Sequence, residues 1–241
     1  MSMESSSQSR ERMLSRIRAA LGHSSIGSAP DELEPFLTKA PAGNGYSLVD
    51  RFGEELRRAG GQVAHVKSRD EVGRYIADLQ IDDIKASVAV SDGRLIRDLG
   101  LRDLLQSQGS EIVTTLAEFR GDDRDSKSQY QRVLLECAIG VTAADYALAD
   151  TGTLVLVSGG EQHRLISLLP PVHVCLLSPH LIFPSLTQLL SHAKAGSYSG
   201  GTPPQALTCI TGPSRTADIE QTITLGVHGP QSLHVLIYSP E

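Results

Sequence analysis

Cysteine, surplus positive charge and long apolar runs are all scarce in this chain, and each scarcity closes off a class of function. Only three cysteines occur among the 241 residues. Cys137, Cys175 and Cys209 are odd in number, widely spaced and set in apolar runs such as Val172-His-Val-Cys-Leu-Leu177, a pattern of reduced, buried thiols in a cytoplasmic protein. No Cys-x-x-Cys pair is present, so the chain does not supply by itself the thiolates of an iron–sulfur cluster or a zinc site. The formal charge of -6 offers no basic field to attract a nucleic acid. No stretch approaches the roughly 20 apolar residues of a membrane span, and the Ser-rich start is not followed by the apolar core of a secretory signal. A Gly-x-x-x-x-Gly-Lys phosphate loop, a Gly-x-Gly-x-x-Gly fingerprint, a nucleophile elbow and a His-Glu-x-x-His metal motif are absent too. Any redox step is therefore expected to use an electron carrier on another chain or a loosely signalled cofactor, since no cofactor motif is held here.

What is present suits a globular protein. Hydrophobic residues make up 40% and charged residues 21%, enough to bury a sizeable core. Residues 1–44 form an arm and a linker. Met13, Ile17 and Leu21 share a helical stripe ringed by Arg10, Arg12, Arg16 and Arg18, and a Gly/Ser/Pro/Ala stretch without sustained period follows. Residues 45–241 read as one α/β domain. A helix with Leu48, Phe52, Leu56 and Ala59 inward stops at Gly60-Gly61, before a strand at Gln62–Val66 and a helix from Asp70 to Leu79. Ala86–Ser91 and Glu111–Thr114 read as strands around a helix near Leu101–Gln106. Beyond the charged loop Gly121–Asp125 a helix starts at Ser126. Further strands are expected at Ile139–Thr142, Thr153–Val157, Val172–Leu177, Leu207–Thr211 and Leu233–Tyr238, with a helix at Ser185–Lys194 and a Gly/Ser/Pro loop over 196–204. Strands alternating with helices imply a Rossmann-like, mainly parallel sheet with helices on both faces and right-handed crossovers.

Four segments carry chemistry. Gly212-Pro-Ser-Arg-Thr-Ala-Asp218 follows a strand and reads as a helix start, where free N–H groups and the helix dipole favour an anion; Ser214, Thr216 and Asp218 frame it, and Arg215 brings a planar cationic fork suited to carboxylate or phosphate. The plainer alternative is a helix cap with a solvated arginine. Asp150-Thr-Gly-Thr153 can bring Asp150, Thr151, Thr153 and the Gly152 backbone to a polar ligand, or can simply make a hairpin turn. Only one Asp-Thr-Gly occurs, which excludes an aspartic protease, whose mechanism needs two facing carboxylates. Ser158-Gly-Gly-Glu-Gln-His-Arg164 mixes Glu161, His163 and Arg164, groups able to move a proton or hold an anion, or to sit in an exposed polar loop. Last, Gly226-Val-His-Gly-Pro230 brackets His228, a candidate proton carrier or a donor to a local carbonyl.

Asp150-Thr-Gly-Thr-Leu-Val-Leu156, Arg164-Leu-Ile-Ser-Leu-Leu-Pro-Pro-Val-His173, Gly212-Pro-Ser-Arg-Thr-Ala-Asp-Ile-Glu220 and Leu225-Gly-Val-His-Gly-Pro230 together, in this order and spacing, resemble the lactate-utilisation protein C family, whose members carry a LUD-type domain. The resemblance covers roughly residues 45–240 and is strongest from Asp145 onward. It implies a fold of the sugar-phosphate isomerase and CoA-transferase type, similar also to formyltetrahydrofolate cyclo-ligases. It also implies a part in oxidising L-lactate to pyruvate, as the cluster-free subunit beside two iron–sulfur proteins. Ligands of such sheets sit outside the carboxyl ends of the strands, so the four segments are expected to share one crevice. In that reading Ser214, Arg215 and Thr216 bind a small carboxylate or phosphate, Thr151 and Thr153 position it, and His228 or Glu161 handles a proton. The alternatives are a non-catalytic docking or regulatory subunit and an isomerase- or ligase-like enzyme of the same fold.

Overall fold

The computed structural model describes residues 11–16, 19, 47–79, 87–113, 124–158, 163–194, 206–217, 223–225 and 229–240. Backbone contacts divide the chain into two units, Met1–Ala42 and Gly43–Glu241. In the first, residues 11–16 are helical and Met13 and Leu14 are exposed. The 196–204 loop lies outside the described residues.

The second unit opens with α1 (Leu48–Arg58). Ser47 caps it: its hydroxyl accepts the Asp50 N–H at 3.2 Å while Asp50 reaches back to the Ser47 backbone, which closes a capping box. Phe52 and Leu56 are fully buried, each contributing about 1.5–3 kcal/mol. Leu48, expected inward, is 39% exposed, because the buried stripe is centred on Phe52, Gly53 and Leu56 and passes Leu48 at its edge. Next come β1 (Gln62–Val66), α2 (Arg69–Asp78), β2 (Ser87–Val90), α3 (Arg94–Asp98), α4 (Leu101–Ser107), β3 (Glu111–Val113), α5 (Arg124–Glu136) and β4 (Ile139–Ala143). The helix expected from Ser126 thus takes in Arg124 and Asp125. The remaining elements are β5 (Tyr146–Leu148), β6 (Thr153–Ser158), α6 (His163–Ile166), β7 (Val172–Leu177), β8 (Ile182–Phe183), α7 (Leu186–Lys194), β9 (Ala206–Ile210), β10 (Arg215–Ala217), β11 (Ile223–Leu225) and β12 (Ser232–Tyr238).

Six strands form an all-parallel sheet in the order β1-β12-β7-β4-β2-β3. Alternation along each strand sorts the core. Val88, Val90, Val141, Val174, Leu176 and Leu236 face α2, α3 and α4 in one apolar cluster. On the opposite face Ala89 meets Tyr130 and Leu134 of α5 and Ile166 of α6, while Cys175, Val235 and Ile237 meet α1 and a second sheet. The fold is therefore α/β with helices on both faces, and the structure adds something the strand count did not reveal. Strands β8-β5-β6-β9 make a four-stranded mixed sheet, with β5 and β9 antiparallel to β6, and it covers part of the second face. The far side of this small sheet packs on Leu189 of α7.

Candidate functional site

The segment after Gly212 overturns one expectation. No helix starts there. Residues 215–217 form β10, paired antiparallel with β11 so that Thr216 lies opposite Thr224. The Gly-Pro turn and the hydroxyl residues are common to helix starts and strand turns alike, and the β-branched run Ile223-Thr-Leu225 supplies a partner strand that decides between them. The anion site built on a helix amino terminus is thereby removed. Asp218, like Glu161 and His228, lies outside the described residues.

Around the last turn of α1 the structure does bring two of the four segments together. Asp150–Gly152 make the hairpin turn between β5 and β6, and Gly152, at φ +62°, lies against the α1 backbone at Glu55 and Leu56, leaving no room for a Cβ. Gly212, at φ +85°, lies against the Ala59 carbonyl in the same way. Thr151 and Thr153 hydroxyls are 2.7 Å apart, and Thr153 is 2.6 Å from the Thr211 hydroxyl, so a short hydroxyl chain ties the turn to the end of β9. A Thr151 hydroxyl also donates to Asp150 at 3.3 Å. Arg215 is exposed, and its Nη2 donates to the Ala59 carbonyl at 2.7 Å, a cation at the negative end of the α1 dipole. That is a capping role, and among the described residues the other guanidinium N–H groups take no partner. Arg164 stands apart on α6, exposed, with its carbonyl accepting the Ser167 hydroxyl at 2.9 Å.

Among the described residues a cavity lies at the opposite end of the sheet from the expected crevice, whose candidates Glu161, Asp218 and His228 are outside those residues. With a volume of about 210 Å³, it opens between the parallel sheet and β9, where β7 and β12 begin. Leu168, Ile210 and Leu233 give it apolar wall, and Ser167, Thr208 and Ser214 give it hydroxyls. Ser214 reaches it because its N–H donates to the Pro230 carbonyl at 2.9 Å, holding the start of β10 beside the entry to β12. Here the small sheet overlies one face, and the gap it leaves falls at the amino ends.

Two histidines that the sequence reading passed over are buried in the sheet. His173, second residue of β7, has no exposed surface and forms part of the cavity wall. Its Nε2 is 2.8 Å from the Thr142 hydroxyl on β4, which also lies in hydrogen-bonding reach of the Cys175 thiol. Its Nδ1 has no hydrogen-bond partner among the described residues, and an unpaired buried polar group costs about 1–3 kcal/mol. Burial, helped by repulsion from His234, pushes the His173 pKa down to about 3, so the ring is neutral near pH 7. His234 on β12 faces the other side, its Nδ1 3.0 Å from the Tyr75 hydroxyl; burial lowers its pKa and raises that of Tyr75. The readable signal was a histidine inside an alternating apolar strand, as in Val172-His-Val-Cys. Among the described residues no three His, Cys, Asp or Glu side chains gather as a metal site, and no helix is long and apolar enough to cross a membrane.

This fold has known counterparts. A family model described as LUD domain matches residues 49–238. Lactate utilization protein C of Halalkalibacterium halodurans is 40% identical over 92 residues, 38% of this chain and 40% of that protein. Lactate utilization protein C of Bacillus subtilis is 31% identical over 141 residues, 58% of each chain. The chain thus matches less than two thirds of the length of either relative. Among solved structures, a DUF162 family protein from Deinococcus radiodurans superposes with a TM-score of 0.53 at 18% identity, covering 80% of this chain and 96% of that one. The same α/β arrangement recurs there, and since the family model runs from the first turn of α1 to the last residue of β12, the chain belongs to the LUD domain family.

Proposed function

We propose that this protein is a component of the L-lactate utilisation system, in which L-lactate is oxidised to pyruvate, and that two iron–sulfur partner proteins carry the electrons. The relatives named lactate utilization protein C support this reading. So does the spread of the three cysteines, which lie just past α5, on β7 and on β9, two of them buried. The ligand in this proposal is a small carboxylate or phosphate. The observation that carries it is the gathering of Arg215, exposed and with N–H donors unused among the described residues, and the Thr151–Thr153–Thr211 hydroxyl chain against the same turn of α1, with Ser214 beside them. An arginine fork with neighbouring hydroxyls is suited to an anion's oxygens. Proton handling falls to His228 or Glu161.

The test uses the full chain alone and mixed with its two partners. Lactate-dependent reduction of a dye by the mixture, together with thermal stabilisation of the chain by L-lactate, pyruvate or phosphate that Arg215→Ala abolishes, is the expected result. Unchanged stabilisation in Arg215→Ala would sink the ligand assignment. A second reading has one observation in its favour: the Arg215 bond to Ala59 is structural, as in a docking or regulatory subunit. For such a subunit the mixture is active while no small anion stabilises the chain.

A further inference from the structure

We infer that Gly60 is a positioning residue of the anion site. By carrying no side chain it gives the Arg215 guanidinium its seat against the end of α1, and from that seat Arg215 presents a paired N–H edge to a carboxylate or phosphate. This role rests on the anion reading of Arg215 proposed above.

Helix geometry alone accounts for a glycine at this position. Gly60 follows the α1 C-cap Ala59 with φ +91°, its N–H donates to the Arg57 carbonyl at 2.9 Å, and a left-handed residue there ends a helix in the usual way. What helix geometry leaves unexplained is the space above it. A Cβ on Gly60 would stand 2.3 Å from Nη2 of Arg215 and 3.4 Å from its Cζ, so the guanidinium lies where a side chain would begin. The same Nη2 donates to the Ala59 carbonyl at 2.7 Å. Gly212 makes the approach possible from the other segment, since a Cβ there would meet that carbonyl at 2.5 Å. Two left-handed glycines, one on each segment, thus let the turn between β9 and β10 close onto the helix end.

The seat decides what Arg215 offers. Nη2 carries two N–H groups, and each of the two paired edges of a guanidinium uses one of them. Ala59 therefore occupies one edge and leaves the other whole, on an exposed side chain held by that bond and by the glycine beneath it. Two parallel N–H donors match two oxygens of a carboxylate or phosphate, and holding them beforehand spares the ordering of a long side chain on binding. Nη2 is the far end of a flexible chain, so a methyl at residue 60 moves the guanidinium off its seat without disturbing the core.

Gly109 supplies the control. It follows the α4 C-cap Gln108 with φ +93°, its N–H donates to the Gln106 carbonyl at 3.0 Å, and a Cβ there meets nothing within 4 Å among the described residues. Alanine at either position carries the same left-handed strain, and only Gly60→Ala displaces Arg215. Thermal-shift titration of the full chain with inorganic phosphate and with pyruvate is expected to give wild-type affinity in Gly109→Ala and a roughly tenfold or greater loss in Gly60→Ala. Arginine Nε–Hε NMR should show the Arg215 signal, assigned by its loss in Arg215→Ala, moved in Gly60→Ala and unmoved in Gly109→Ala, a difference that a purely structural glycine would not produce. If either alanine variant fails to fold, Gly60→Asn and Gly109→Asn repeat the comparison with a residue that enters the left-handed region more readily. Equal affinities in the Gly60 and Gly109 variants, or an Arg215 signal indifferent to Gly60, overturn the inference while the anion reading stands. A wild type that neither anion stabilises sinks the anion reading, and the inference with it.

Discussion

Acidification should reveal His173 as a group that folding holds neutral. The unfolded chain takes up a proton at this position near the ordinary histidine value of 6.5, whereas the folded ring does so only at about 3. Between those values the unfolded state binds more protons, so stability rises with pH across this window and is lost as pH falls from about 6.5 toward 3. Each pH unit inside the window is equivalent to about 1.4 kcal/mol. Going from about pH 7.5 to about pH 5 crosses about one and a half such units, so His173 alone should cost about 2 kcal/mol, or about 4–8 °C in Tm for a chain of this size. His234, its pKa also lowered by burial, adds a loss of the same sign. The measurement is therefore a double difference: thermal melts at both pH values for the wild type and for His173→Gln, which does not titrate. The wild type should lose about 2 kcal/mol more than the variant. Parallel losses in the two proteins would refute the argument, since a ring that protonates normally in the folded state carries no such linkage.

Two further predictions concern packing and thiols. Gly152→Ala combines a left-handed backbone at φ +62° with a Cβ that runs into the α1 backbone at Glu55 and Leu56, so urea denaturation should show a loss of about 3 kcal/mol or more, and a loss under about 1 kcal/mol would contradict the close approach. Iodoacetamide applied to the native protein should alkylate Cys209 first, because Cys209 is exposed while Cys137 and Cys175 are buried and burial raises their thiol pKa values, that of Cys175 to about 12; peptide mass mapping that finds Cys175 modified as fast as Cys209 would count against the burial.

The parts of the fold legible in the sequence are those with a strong local pattern. Ile139–Ala143, Thr153–Ser158, Val172–Leu177 and Ser232–Tyr238 are mainly apolar runs between turn signals, and strands alternating with helices implied a parallel sheet, to which all but Thr153–Ser158 belong. The helix at Leu48–Arg58 declared itself through the spacing of Leu48, Phe52, Leu56 and Ala59 and the Gly60-Gly61 stop, while its Ser47–Asp50 capping box came only with the structure. The second sheet was not legible, because β5 has three residues and β8 two, too few for a period to register, and because pairing of β6 with β9 joins segments about fifty residues apart.

For the site the division is sharper. Composition and motif spacing were enough to narrow the chemistry and to mark Asp150–Thr153 and Gly212–Arg215 as unusual, since glycine and hydroxyl residues at fixed spacing are properties of the chain itself. What those residues do was decided by their neighbours in space. The α1 terminus turned Arg215 into a cap, a partner strand turned the expected helix start into β10, and the small sheet opened the cavity at the amino ends of β7 and β12. His173 makes the same point: sequence places it on an apolar strand, but only the packing around it pairs Nε2 with Thr142 and leaves Nδ1 without a partner among the described residues, because satisfaction of a buried polar group depends on atoms distant in the chain.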